Sequence, residues 1–299
     1  MQTTSFLAIL LVGLFTSVTS FCQHEANISE VETGIDIASP AEKTKMNFFI
    51  ISKPKKGKID LASRFNILRT KLKGLFRKKK FVAVVAKNAG HASKKVLRKL
   101  KKSDATIGTL WFDSHGMYKK GYSLFFIGTD EISYYTLKDS SITLPFKQLA
   151  GSSDKESKIV IGSCYGGATY YRSSIDYRDT TRMNGDSLMV SLGRIFKNSN
   201  IYGSESWVMT KPGLFLKRAA VAGFPRRKLF RDICYEPAWL SIGKWNKYDA
   251  TTNRFETINP VTLDMYGNLL VRSRSFTSRD GVKKDITKNL SKLKPGLYK

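Results

Sequence analysis

The chain has 299 residues, with 51 Lys+Arg against 24 Asp+Glu and a formal charge of +27. A hydrophobic content of 41% excludes wholesale disorder, because that much apolar side chain offsets the entropy of ordering a backbone. Three cysteines are too few for a disulfide scaffold or a cysteine-built zinc cluster, and three histidines limit any His-rich metal site.

The first 20 residues carry no charged side chain. Phe6 to Phe15 form an apolar run that ends in the small residues Val18-Thr19-Ser20. This is the pattern of a signal peptide over residues 1–20, without its usual basic start, and it predicts a secreted, periplasmic or cell-envelope protein. The run is too short for a transmembrane helix, and no later apolar segment is long enough to span a membrane. Cys22 follows at once and raises a lipid-anchored N-terminus as the alternative, although Phe21 is a poor residue before a lipidated cysteine. Residues 21–45, with five acids and two lysines, read as a polar linker, and His24 within them suggests no chemistry.

The charge then reverses. Residues 46–102 hold 19 Lys+Arg and one acid, Asp60, a net +18. Such a block fits either solvated helix faces or a polyanion partner: an anionic surface, a glycan or a nucleic acid. Met46 to Ser52 predicts a strand ending in the turn Lys53-Pro54-Lys55-Lys56-Gly57. Asp60 to Arg77 predicts a helix whose apolar stripe, Leu61, Phe65, Leu68, Leu72 and Leu75, faces the core, leaving Arg64, Arg69, Lys71 and Lys73 to solvent.

Phe81 to Ala86 is a continuous β-branched run, the pattern of a strand buried on both faces. Ser93 is a candidate cap for a helix reaching Leu100. Thr106 to Phe112 predicts a third strand, ending at Asp113-Ser114-His115-Gly116. Tyr122–Ile127 and Glu131–Leu137 flank a Gly128-Thr129-Asp130 turn and predict a hairpin. A short helix near Leu144 to Leu149 precedes a fourth buried strand, Lys158 to Gly162, which runs into Ser163-Cys164-Tyr165-Gly166-Gly167. A helix from Asp186 to Phe196 and a strand from Asn200 to Gly203 complete the alternation.

Strands alternating with helices predict an α/β fold with a mainly parallel sheet, right-handed crossovers and helices on both faces. Ligands in such sheets bind beyond the carboxyl ends of the strands. His115 ends the third strand and Cys164 the fourth, so both emerge at one edge. A cysteine and a histidine suffice for nucleophilic acyl transfer, and glycines at 116, 166 and 167 leave room for a substrate backbone.

These segments resemble the caspase-like cysteine peptidases, the group that includes caspases, legumain, clostripain, gingipains and separase. Phe112-Asp113-Ser114-His115-Gly116 is similar to the family's histidine-glycine motif, and Ile161-Gly162-Ser163-Cys164-Tyr165-Gly166-Gly167 to its cysteine motif. The two residues lie 49 positions apart, close to the roughly 50 of caspases. The resemblance spans Met46 to Val208 and is nearest to bacterial-type members, since Gly162-Ser163 and Tyr165-Gly166 replace the caspase Gln-Ala and Arg-Gly. It implies His115 as general base and as the imidazolium that favours a thiolate. It implies Cys164 as nucleophile, and the Gly116 and Cys164 N–H groups as oxyanion donors, with no cofactor or metal.

Other residues carry weaker readings. His91 lies near the same edge, and Asp113 either orients His115, ligates a metal or caps a turn. Cys234 is a candidate partner for a silencing disulfide with Cys164, and Arg172, Arg178 and Arg182 sit in a loop of cleft-wall or processing type. The caspase-like domain is expected over residues 46–222 and a small β-rich extension with a basic tail over residues 223–299. Three functions compete: an exported cysteine peptidase, an inactive protein of the same fold that holds a polyanion through residues 46–102, and an acyl transferase using the same two residues.

Overall fold

A computed structural model describes residues 43–53, 59, 61–76, 80–119, 122–169, 183–205, 208–210, 219–222, 244–264 and 266–271. The chain divides into residues 1–42 and 43–299, and all described residues belong to the second unit. Cys22, His24, Cys234 and the three loop arginines lie outside the described residues.

Its centre is a seven-stranded sheet. Five strands, β1 (Thr44–Ser52), β2 (Phe81–Ala86), β3 (Ala105–Asp113), β7 (Lys158–Gly162) and β8 (Asn200–Ser204), run parallel in the order β2-β1-β3-β7-β8. β11 (Trp245–Asp249) adds antiparallel to β8, and β12 (Arg254–Ile258) adds antiparallel to β11. The α/β expectation with a mostly parallel sheet therefore holds. Two strands from the segment read as an extension are hydrogen-bonded members of the main sheet.

The strand pattern explains the layers. Phe48 and Ile50 of β1 point to one face, and Phe49 and Ile51 to the other, the period of two of an extended chain buried on both sides. The first face packs against α2 (Ala89–Ser103), α3 (Ser140–Ala150) and α4 (Gly185–Ile195) through Val96, Leu100, Phe146, Leu149, Leu188 and Leu192. The second face packs Trp111, Val160 and Trp245 against Val261, Leu263 and Leu269. Those last three belong to β13 (Val261–Leu263) and β14 (Leu269–Val271), part of a four-stranded sheet with β9 (Met209–Thr210) and β10 (Ala219–Ala222). A third sheet of β4 (Gly116–Lys119), β5 (Tyr122–Ile127) and β6 (Asp130–Ser133) follows β3 directly. β4 is absent from the sequence expectation.

Two local expectations need correction. Helix α2 is capped by Asn88, whose Oδ1 accepts from the His91 N–H at 2.7 Å; Ser93 is a fully buried residue inside the helix. Helix α1 (Leu61–Phe76) turns its other side to the sheet. Asn66, Arg69 and Thr70 are buried, while Phe65, Leu68 and Leu75 are 39%, 45% and 71% exposed. Close approach accounts for this: a Cβ on Gly74 would sit 2.8 Å from the Phe81 carbonyl oxygen, so the helix lies on β2 through its small residues. Among the described residues no helix is long and apolar enough to cross a membrane.

Candidate active site

Sheet register brings the two reactive residues together. Asp113 pairs with Gly162 across β3 and β7, so His115 and Cys164 each lie two residues beyond one rung at the carboxyl ends of neighbouring parallel strands. Gly116 completes the approach. A Cβ there would sit 2.1 Å from the Cys164 carbonyl oxygen and 2.8 Å from its nitrogen, so only glycine allows the two backbones to touch. Pairing of Gly116 with Phe125 across β4 and β5 holds this position. Ser114 ties the same turn down, since its Oγ accepts from the Phe126 N–H at 3.4 Å and donates to the His115 carbonyl at 3.2 Å.

Cys164 is half-buried beside Tyr165, Ala168 and Met183, whereas His115 is exposed at the rim. Burial pushes the Cys164 thiol pKa up, and main-chain N–H groups of Val208, Gly116 and Cys164 itself pull against it. The Val208 N–H lies 3.4 Å from the sulfur. Two of the three opposing donors are thus the N–H groups that the resemblance assigns to an oxyanion. Burial outweighs them, and the thiol pKa lies above its ordinary value.

Tyr165 adopts φ 60, a left-handed conformation that costs a side-chain-bearing residue about 1–2 kcal/mol. The loop beyond it is fixed from the far side. The Gly167 N–H donates to the Ser204 carbonyl at 2.9 Å, and Asn246 Nδ2 donates to the Gly167 carbonyl at 2.8 Å. Asn246 is only 6% exposed, and its Oδ1 accepts from Thr257 Oγ1 at 3.1 Å. Gly166 and Gly167 use their missing Cβ atoms to pack on Ile161 and Gly203, so they seat the loop on β7 and β8.

The remaining candidates separate from this pair. His91 sits in the first turn of α2, beyond β2, which β1 separates from β3. Its Nδ1 accepts from the Lys87 N–H at 3.2 Å, and burial, with Lys95 and Lys87 nearby, holds its pKa below the ordinary histidine value. Asp113 faces α1, with Oδ2 3.5 Å from Asn66 Nδ2 and its charge acting on the buried Arg69 guanidinium. Sequence reasoning missed Val208 and Asn246. Val208 acts through its main chain and leaves no side-chain signal. Asn246 is an isolated polar residue in an aromatic run, Trp245 to Tyr248, and that oddity is its one trace.

No family model, curated protein or solved structure matches this chain.

Proposed function

We propose that this protein is an exported cysteine peptidase of the caspase-like kind, with His115 and Cys164 as its catalytic pair. The observation that carries the reading is the common register level of the two residues, with Gly116 in contact with the Cys164 backbone. The hairpin between the histidine and cysteine strands, and the left-handed Tyr165 just after the cysteine, support it.

In this reaction His115 removes the thiol proton as sulfur attacks the peptide carbonyl. The tetrahedral oxyanion takes hydrogen bonds from the Gly116 and Cys164 N–H groups. Collapse breaks the C–N bond, the imidazolium protonates the departing amine, and a thioester remains on Cys164. Water, deprotonated by His115, then attacks the thioester, releasing the carboxylic acid and restoring the thiol. An amine taking the place of water gives the acyl transferase alternative.

The test is incubation of the full chain with a mixed peptide library, with cleavage read by mass spectrometry. Cleavage by wild type and none by Cys164→Ala supports the reading, and equal cleavage by both ends it. Amide products formed only with added amine favour transfer.

A second reading, an inactive polyanion-binding protein, has one observation in its favour. Lys43, Lys94, Arg98 and Lys101 line a cleft of about 570 Å³ together with Leu97, Leu100 and Ala105. Asp104 lines it too and pairs with Lys43 at 3.5 Å, which leaves three cations to a polyanion. It lies where β1 and β3 begin, at the opposite end of the sheet from Cys164. Salt-sensitive heparin retention lost on Lys94→Glu with Arg98→Glu, in a protein that cleaves nothing, would favour it.

A further inference from the structure

Helix α1 carries an apolar stripe on its outer side. Phe65, Leu68, Leu72 and Leu75 recur at helical spacing; Leu72 is partly exposed and the other three stand well into solvent. Exposed Arg64 and Lys71 flank the stripe, and no acid occurs between Leu61 and Phe76. The helix is already docked by its opposite, buried side, through Asn66, Arg69, Thr70 and Gly74. The outer stripe is therefore surplus to folding, and apolar surface of this kind on a soluble face marks an interaction site.

The geometry points to an anionic lipid bilayer as the partner, with α1 lying in the plane of the headgroups. An interfacial helix needs large apolar residues on one side and cations beside them, the pattern found here. Charge selects lipid over a segment of this same chain. The cations of α2 lie on the other sheet face and do not count here. Residues 21–45 are the acidic stretch nearest in sequence, but five acids against two lysines cannot match residues 53–80, the stretch that holds α1, with 12 Lys+Arg and one acid. A surface of many anionic headgroups can. Nucleic acid or glycan would use the cations and leave the leucines in water.

Orientation follows from topology. Helix α1 crosses between the parallel strands β1 and β2, so it runs back along the strand direction. With α1 in the headgroup plane, the strands lie along the membrane and their carboxyl ends, with His115 and Cys164, open sideways. Membrane docking is independent of the peptidase reading, because neither residue takes part in it.

The experiment is co-sedimentation of the full chain with vesicles of phosphatidylcholine containing about one third phosphatidylglycerol, against pure phosphatidylcholine. Binding to the anionic vesicles that weakens with salt is expected. The combined Phe65→Ser, Leu68→Ser and Leu75→Ser variant is expected to lose about tenfold or more in vesicle affinity, with Tm within a few degrees of wild type and heparin retention unchanged. Lys71→Glu with Arg64→Glu is expected to weaken vesicle binding to a similar degree. Four results overturn the proposal: no binding to anionic vesicles; vesicle binding indifferent to the serine substitutions; a fall in Tm of about 5 °C or more in the serine variant, which would put the stripe in the core; or a dimer in sedimentation that the serine substitutions dissociate.

Discussion

Cys164 stands between two flanks of different construction. On one side the passage from β3 into β4 supplies Ser114, His115 and Gly116, three consecutive residues with a hydroxyl, an imidazole and a bare backbone. On the other side β8, β11 and the chain at Val208 supply hydrogen bonds drawn from residues 204, 208 and 246. The first flank can carry out proton transfer; the second can only hold the loop and the sulfur in place. Chemistry in the proposed reaction therefore belongs to a short local segment, and positioning to contacts assembled from distant parts of the chain.

The largest expected effect isolates the sulfur that both flanks serve. Cys164→Ala is expected to abolish turnover outright while leaving Tm nearly unchanged, since a small residue replaces another at a half-buried site. Next comes the chemical flank. His115→Ala is expected to cost about 10²–10⁴ in kcat, the usual value of one general acid–base group, with a stability change that is small beside it because the residue is exposed. Steady-state peptide hydrolysis and thermal melting check both. A His115→Ala protein with wild-type kcat would erase the distinction between the flanks.

The same division explains what could be read from sequence. The β3 and β7 strands are continuous apolar runs, and their ends are marked by His115-Gly116 and Cys164, so the placement of both residues at one sheet edge was legible from local pattern. The positional flank was not, because Ser204 and Val208 act through main chain and Asn246 reaches the loop only after β11 joins the sheet. Helix α1 failed for a related reason. Its apolar stripe is a correct helical signal, but periodicity cannot state which side faces the sheet when Gly74 and Thr70 allow closer packing than the leucines. Helix α2 is more basic, with six Lys+Arg against four in α1, yet it turns Ala92, Val96 and Leu100 at helical spacing to the core.

Gly116 belongs to both flanks and should show both kinds of effect. Gly116→Ala places a carbon 2.1 Å from the Cys164 carbonyl oxygen, which backbone movement alone can relieve. A stability loss of about 1–3 kcal/mol is expected, together with a fall in kcat of about tenfold or more as the His115 and Cys164 backbones part. Asn246→Ala tests the positional flank by itself. It leaves the buried Gly167 carbonyl without its 2.8 Å donor, for about 1–3 kcal/mol in stability. The loss of kcat should stay below that of His115→Ala. The reverse order would mean that loop placement, and not proton transfer, limits the rate.

The smallest expected effect is the most discriminating. A preformed imidazolium–thiolate pair would make Cys164 react with iodoacetamide rapidly at neutral pH, and removing His115 would slow that reaction sharply. The structure favours a different state: burial raises the thiol pKa, and the groups that oppose it are main-chain N–H donors from Val208, Gly116 and Cys164. Substituting the His115 side chain leaves all three donors in place. Alkylation of Cys164, followed by peptide mass spectrometry to separate it from Cys22 and Cys234, should therefore change by less than about twofold in His115→Ala at pH 7. In both proteins the rate should climb as pH rises, because deprotonation generates the thiolate, and should still be climbing above the ordinary thiol value of about 8.5. A plateau reached near neutral pH in wild type, absent in His115→Ala, would show that the histidine sets the thiolate population at rest. The base would then act before substrate arrives, and the sulfur's main-chain donors would be secondary to it.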